Sequence, residues 1–575
     1  MNDLKKENIG YDFGSYIDLA RGRGEADLLL RNVRLVNVLS GEIHPADVAI
    51  GGGLFLGFGD YPAREVIDCA GRYLVPGLIE GHIHIESSQI LPSEFARLVA
   101  AHGTAAVVAD PHEIANVMGV AGVEFMLAAS AGLPVSFFFM VPSCVPATTM
   151  ETAGAVIDAA AVAALLKKHP DRLLGLAEVM NFPGVINRDA ETMAKLAAAR
   201  GQKIDGHAPQ LTGLDLNSYI MAGPDSDHEA TTLAEAREKL RAGMHLMLRE
   251  GSREHNLDDL LPLINRYNSA NCSLVSDDRH VIDLLHKGHL DYSIRKAIAG
   301  GLEPLVAIQM ASINPARHFG LKRRGAVAPG YRADCILLDE LESFAINRVF
   351  LAGQPLAEKD FAAPQFPLPG NTVSVAKLSE ASFAIPAAGA KLKVIGIVPG
   401  QLVTEKIIVE PKCCQGLAVA DPDQDRAKLA VIERHHGSGR IGLGFVQGLG
   451  LKKGALAGTV AHDSHNLIVA GMNDADMLLA ARVVKEMSGG LVVVAEGRVL
   501  GRLPLPVAGL MCAEKAETTA AALQSLHDQA ALLGAANDPF MTLSFLALPV
   551  IPALKLSDLG LIDVDKFFLT DLWLN

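Results

Sequence analysis

The chain has 575 residues, half of them hydrophobic and a fifth charged, with a net charge of -14 and no basic run. That size accommodates about two to four domains with large cores, and the charge argues against a nucleic-acid polymer or an anionic membrane surface as partner. The seven cysteines are scattered without a CxxC pair, and only Cys413 and Cys414 adjoin, which points to a reducing compartment without disulfides or a zinc ribbon.

Residues 1–25 read as an N-terminal arm with no apolar core, so no signal peptide is expected and the protein reads as cytoplasmic. From 26 to 74 short strands and turns alternate (DLLLRNVRLVNV, SGEIHPADVAI, GGGLFLGFGD), and the same texture returns in GAVAPGYRADCILLD and INRVFLAGQ. This predicts one composite β-sandwich domain built from both flanks, 26–74 and 322–370. Between them, over 75–321, the strand-like runs are LIEGHIH, AAVVADPHE, VSFFFMVPS, LLGLAEVMN, KIDGHAP, DSDHE, HLMLREGS and SLVSDDR. Helical segments with apolar residues at three-to-four spacing, such as SEFARLVAAH, separate them.

Eight strand candidates in roughly 250 residues match an α/β fold of the (β/α)8 TIM-like barrel type. A doubly wound sheet is the alternative, but no glycine-rich dinucleotide turn follows the first strand. The sixth strand is the least distinct, since YIMAGP before Asp225 is only a short apolar run. The uncharged stretch from Phe125 to Met150 has the length of a membrane span. Gly132-Leu133-Pro134, Pro142 and Pro146 interrupt it, however, and FFFMV reads as a buried parallel strand. Residues 371–575 mix strands with Ala-rich helices, predicting a C-terminal α+β domain.

Barrel enzymes place their chemistry at the C-terminal ends of the strands. Those ends carry His82 and His84; Asp110, His112 and Glu113; Glu178; His207; His228 and Glu229; Arg249 and Glu250; and Asp277 with Asp278. His82 and His84 stand two apart on a strand, so both imidazoles point the same way. Four histidines and two carboxylates suit two divalent ions: His82, His84 and Asp277 for one, His207 and His228 for the other, with Glu178 bridging. Such an ion pair holds a hydroxide near neutral pH. A nitrogen–oxygen donor set without thiolate is compatible with manganese, iron or zinc. The pattern is that of a metal-dependent hydrolase.

HxH after strand one, a carboxylate after strand four, single histidines after five and six, and Asp after strand eight resemble the amidohydrolase superfamily. Many of its members bridge their metals with a carboxylated lysine, where this chain has Glu178. The runs ERHHGSGRIGLGFVQGLGL, GTVAHDSHNLIVAG, LPLPVAGLM and DPFMTLSFLALPVIPALKLSDLGLIDV, with ADPHEIANVMG and SDDRH in the barrel, resemble the bacterial adenine deaminase family. The resemblance implies deamination of adenine to hypoxanthine and ammonia in purine salvage, by a hydroxide attacking C6, with Mn2+ or Fe2+ as the metal pair. Small zinc deaminases use HxE with PCxxC; His84-Ile85-Glu86 fits the first half, but no PCxxC follows.

Within that reading Asp277 both ligates metal and shuttles the proton from the attacking water to the departing amine. Asp278 is carried over from the distantly related adenosine deaminases as the contact to the purine at N7. Asp110, His112 and Glu113 are expected to reach the ring, with Glu113 as the proton donor at N1 and His112 as its substitute. Arg249 is a further candidate for substrate binding. His435, His436, His462, Asp463 and His465 form either a second metal site or lid at the mouth, or a structural network. A homo-oligomer, dimer or larger, is expected. The competing activity is another amidohydrolase chemistry on a cyclic amide or an N-acetyl group.

Overall fold

The computed structural model describes residues 13–357, 361, 366–399 and 401–574. Residues 1–12 of the expected N-terminal arm lie outside these. The middle of the chain is a parallel barrel with strands β1 (Leu78–His84), β2 (Thr104–Ala109), β3 (Ser136–Val141), β4 (Leu173–Val179), β5 (Lys203–Gly206), β6 (Ser226–Asp227) and β7 (His245–Arg249). The eighth, β8, runs over Cys272–Val275 and continues as Asp277–Asp278. Neighbours pair in parallel from β1 to β5 and from β6 to β8. The end of β8 returns to β1 through Asp277↔Ile83 and Asp278↔His84.

The seam between β5 and β6 is the thinnest. Asp225 N donates to Ile204 O at 3.2 Å, and Gly206 N donates to Ser226 Oγ at 3.0 Å. A Cβ at position 206 would lie 2.1 Å from the Ser226 carbonyl oxygen, so only glycine permits this approach. The run YIMA, which looked like the approach to the sixth strand, belongs to the helix Gly213–Ala222. Only two residues remain for β6. The uncharged stretch after Phe125 is the end of a helix followed by buried strand β3, and among the described residues no helix is long and apolar enough to cross a membrane.

Ile79, Ala106, Val108, Met140, Ala177, Met247 and Val275 fill the barrel beneath the mouth. Removing the Ile, Val and Met side chains from water contributes about 1.5–3 kcal/mol each, and this floor holds the polar strand ends above it. Pro76-Gly77 is the junction with the β-domain. Gly77 N donates to Asp334 O at 2.9 Å, and a Cβ on Gly77 would sit 2.7 Å from Ala105 Cβ and 2.9 Å from Asp334 Cβ. The junction thus presses against both the barrel and the returning flank.

That β-domain is an eight-stranded sheet among the described residues. It joins strands of 26–76 to Cys335–Glu340, Ala345–Leu351 and Gln354–Pro355. Its longest strand, Ala26–Asn37, shifts register between Leu30 and Val33. Its first half pairs with Ala63–Asp68 and its second with Tyr73 and Leu74. The sheet thereby wraps one apolar cluster that includes Leu30, Val48, Phe55, Leu74, Cys335 and Phe350.

The C-terminal part contains a nine-stranded sheet with the helix Asp474–Glu486 packed on it through Met477, Ala480, Ala481 and Val484. It is fastened beside the barrel mouth. Cys512 N donates to Gln89 O at 2.8 Å, Asn466 Nδ2 donates to Thr152 O at 2.8 Å, and Arg97 meets Glu517 at 2.8 Å. All seven cysteines are unpaired.

Candidate active site

Six of the predicted residues converge where the strands end. Glu178 is central. Its Oε2 is 2.7 Å from His207 Nδ1 and 3.2 Å from His228 Nε2, and its Oε1 is 3.4 Å from both His84 Nε2 and His112 Nδ1. Across the mouth, Asp277 Oδ1 lies 3.2 Å from His84 Nε2 and 3.7 Å from His82 Nε2. Asp277 has φ of 61°, a left-handed conformation that Asp adopts more readily than most residues. It opens the second segment of β8 and turns the carboxylate to the histidines. All but the partly buried His207 are buried.

The ligand-type atoms of His82, His228 and Asp277 lie within 4.8 Å of one another, as do those of Glu178, His207 and His228. His228 is common to both groups. The donors suit divalent ions. His82 Nε2 is buried with no hydrogen-bond partner, and His84 Nδ1 donates to the Asp110 carbonyl at 3.1 Å, which leaves its Nε2 lone pair facing the site. Burial, reinforced by His228, pushes His82 down to about 3, so its imidazole is neutral, as ligation requires.

The carboxylates are stabilised as anions. Burial alone would raise Glu178, but His207 and His228 more than offset it and hold the group well below the usual range. Burial is likewise overcome at Asp277, chiefly by Arg249. Arg249 was expected at the substrate. Its Nη1 donates to Asp277 Oδ2 at 2.6 Å and to Glu229, and its Nη2 donates to Glu229 at 3.1 Å. Both terminal nitrogens are engaged by protein carboxylates, which orients Asp277, while Nε is buried without a partner.

Asp278 is beside the cluster, grouped with His84 and Asp277, and accepts a hydrogen bond from Ser87. Burial and the Asp277 charge raise its pKa. Asp110 and His112 pair at 2.9 Å, and His112 Nε2 is 3.3 Å from Glu113. Glu113, expected to donate a proton at N1, is an acceptor on both oxygens: His462 Nδ1 lies 2.6 Å from Oε1, and His465 Nε2 contacts Oε2. Burial would raise this carboxyl, but His462, His465 and His112 hold it well below the usual range. In this arrangement it stands as a hydrogen-bond acceptor to both histidines.

The C-terminal histidines divide into two kinds. His462 and His465 reach the barrel through Glu113. His435 Nε2 donates to the Ser464 carbonyl at 2.7 Å and His436 Nε2 to the Ala153 carbonyl at 3.2 Å, contacts that hold loops. Two carboxylates had received no role. Glu80 accepts from His82 N at 2.9 Å and Ser276 Oγ at 2.6 Å, tying β1 to β8 beneath the site. Glu229 lies 3.4 Å from His228 and 3.7 Å from His207. Its place after His228 was visible in the sequence, but its pairing with Arg249 depends on the neighbouring strand.

An Amidohydrolase family model matches residues 73–356, and an Adenine deaminase C-terminal domain model matches 401–568. The chain is 56% identical over 559 residues to an adenine deaminase of Oleidesulfovibrio alaskensis, covering 97% of this chain and 98% of that one. The chain belongs to the adenine deaminase family. It is also 48% identical over 558 residues to an adenine deaminase of Desulfatibacillum aliphaticivorans, covering 96% and 98%. Among solved structures, an N-acetyl-D-glucosamine-6-phosphate deacetylase from Mycobacterium smegmatis is 18% identical, with a TM-score of 0.43 over 57% of this chain and 100% of that one.

Proposed function

We propose that this protein is a metal-dependent aminohydrolase that converts adenine and water to hypoxanthine and ammonia. The observation that carries the reading is the buried constellation at the mouth: His82, His84, Glu178, His207, His228 and Asp277 converge, with Asp278 alongside. The family's C-terminal domain reaches the same mouth through Glu113. His82, His84 and Asp277 would hold one divalent ion, His207 and His228 the other, and Glu178 both. Ions bound there would supply a water acidic enough to ionise near neutral pH. The donor set suits manganese or iron, with zinc also compatible.

Asp277 accepts a proton from the attacking water and passes it to the amino group leaving C6. Arg249, on its other oxygen, fixes which oxygen is available for this transfer. Asp278 contacts the purine at N7; its raised pKa, from burial and the Asp277 charge, favours the protonated carboxyl that a ring nitrogen can accept from. We assign the reaction to purine salvage in the cytoplasm, and the scattered cysteines without a CxxC pair fit a reducing compartment. Exposed Phe567, Phe568 and Leu569 offer an apolar surface for a homo-oligomer.

Ammonia release from adenine, set beside hydrolysis of a hydantoin and of an N-acetylated sugar phosphate, tests the proposal. Adenine turned over alone is the expected result. Turnover of either other compound without ammonia from adenine would replace this activity with a sibling one.

A further inference from the structure

His462 belongs to the C-terminal domain, yet it is buried at the barrel mouth, only 3% exposed. Its ring stacks on Phe545 with centroids 4.6 Å apart, and its backbone N donates to Ser544 Oγ at 3.2 Å. Nδ1 faces Glu113 Oε1 at 2.6 Å, which fixes a proton on that nitrogen. Glu113 is fixed in turn from the other side. His465 Nδ1 accepts from Ala461 N at 3.1 Å, so His465 Nε2 carries the proton and donates to the second Glu113 oxygen. Fully buried Arg434 donates to the His465 carbonyl and holds the loop.

With these tautomers the Glu113–His462–His465 group is a hydrogen-bonded clamp rather than a further metal site. What the clamp leaves over is His462 Nε2, buried without any partner. His462 and Ser87 line one narrow cavity together with Gln89, His280 and Phe540. Ser87 is the residue bonded to Asp278, so the cavity reaches the neighbour of the carboxylate that would meet the base. Of the neighbouring groups, His112 lies between Asp110 and Glu113, and both Glu113 oxygens are occupied.

We propose that His462 is a catalytic residue whose Nε2–H protonates the purine ring nitrogen next to C6 as the attacking oxygen bonds to that carbon. The inference rests on the adenine reading above. The new C6–O bond moves the C6–N1 π pair onto N1, which takes the Nε2 proton. Asp277 gives the amino group the proton it took from water, and the C6–N bond breaks to release ammonia. The hydroxyl proton released as C6 becomes a carbonyl restores the imidazolium. N1 keeps its proton in the product, as the 6-oxo tautomer requires. Burial disfavours the charged imidazole, but Glu113 more than offsets it and raises His462 to about 9, which keeps both ring protons near neutral pH.

Two variants separate catalysis from structure. His462→Asn retains an amide donor near the Nδ1 position for Glu113 and has no atom at Nε2. His462→Gln places an amide near Nε2 that cannot transfer a proton. Both are measured as full-length, metal-loaded protein for metal content, thermal midpoint, KM and kcat with adenine. The expected result is a kcat about a hundredfold or more lower in each, within the usual range for a lost general acid, with KM within about threefold and parental metal content and midpoint. Either variant keeping half the parental kcat would overturn the proposal. So would His462→Asn losing metal or fold, which assigns the ring to structure, or a raised KM with kcat unchanged, which assigns it to binding alone. If the parent enzyme releases no ammonia from adenine, the activity fails and this step fails with it; an active parent with insensitive variants removes His462 alone.

Discussion

Replacing Glu178 by Gln removes one negative charge from the centre of the constellation while keeping its shape. The carboxylate has four imidazole nitrogens between 2.7 and 3.4 Å from its oxygens and no lysine or arginine among these contacts. Divalent ions bound beside it would add positive charge that these imidazoles supply only when protonated. One unit of charge attraction at about 4 Å is worth on the order of 4 kcal/mol at an effective dielectric near 20. That corresponds to about a thousandfold in affinity. The amide also has one lone-pair oxygen instead of two, so bridging is lost as well. After reconstitution and dialysis, elemental analysis should show Glu178→Gln short by at least one equivalent of metal. Full occupancy in that variant would refute the bridge and the reasoning from charge.

The remaining predictions are narrower. Metal-replete Asp277→Asn should bind adenine and turn it over at least about a thousandfold more slowly; steady-state kinetics retaining a tenth of the parental rate would move the shuttle elsewhere. Asp278→Ala should raise KM for adenine or lower kcat, and unchanged values of both would leave Asp278 without a substrate role. Lys555 is buried with Nζ donating to the Leu402 and Phe545 carbonyls, each at 3.0 Å, and burial pushes it down to about 7. Unfolded, the group titrates near 10.4, so between about pH 7 and 10 the unfolded chain binds the extra proton and stability rises with pH. Denaturant midpoints of Lys555→Met across that window should show a shallower rise, and equal slopes would contradict the assignment.

The parts of the site legible in the sequence were those that follow from local geometry. His82 and His84 share a strand face by their spacing of two, and Glu178 and Asp277 each follow a recognisable apolar run. Strand β6 was faint because its pairing depends on two residues and a close approach at Gly206, which leave no hydrophobic period to read. Arg249 was legible as a strand-end residue, but its engagement by Asp277 and Glu229 depends on the strands beside it. Glu113 looked like a donor because its own segment names no partner. The histidines that turn it into an acceptor arrive about 350 residues later in the chain, from another domain. Such a pairing is written in tertiary contact rather than in local spacing.

The central claim is that two divalent ions held at this mouth enable the chain to deaminate adenine. Chelator-stripped protein should be titrated with manganese or ferrous iron while ammonia release from adenine is followed. Stripped protein should release none, and the rate should rise to a plateau at two equivalents per chain. Ammonia release from the stripped protein, or none from adenine at full loading, would contradict it.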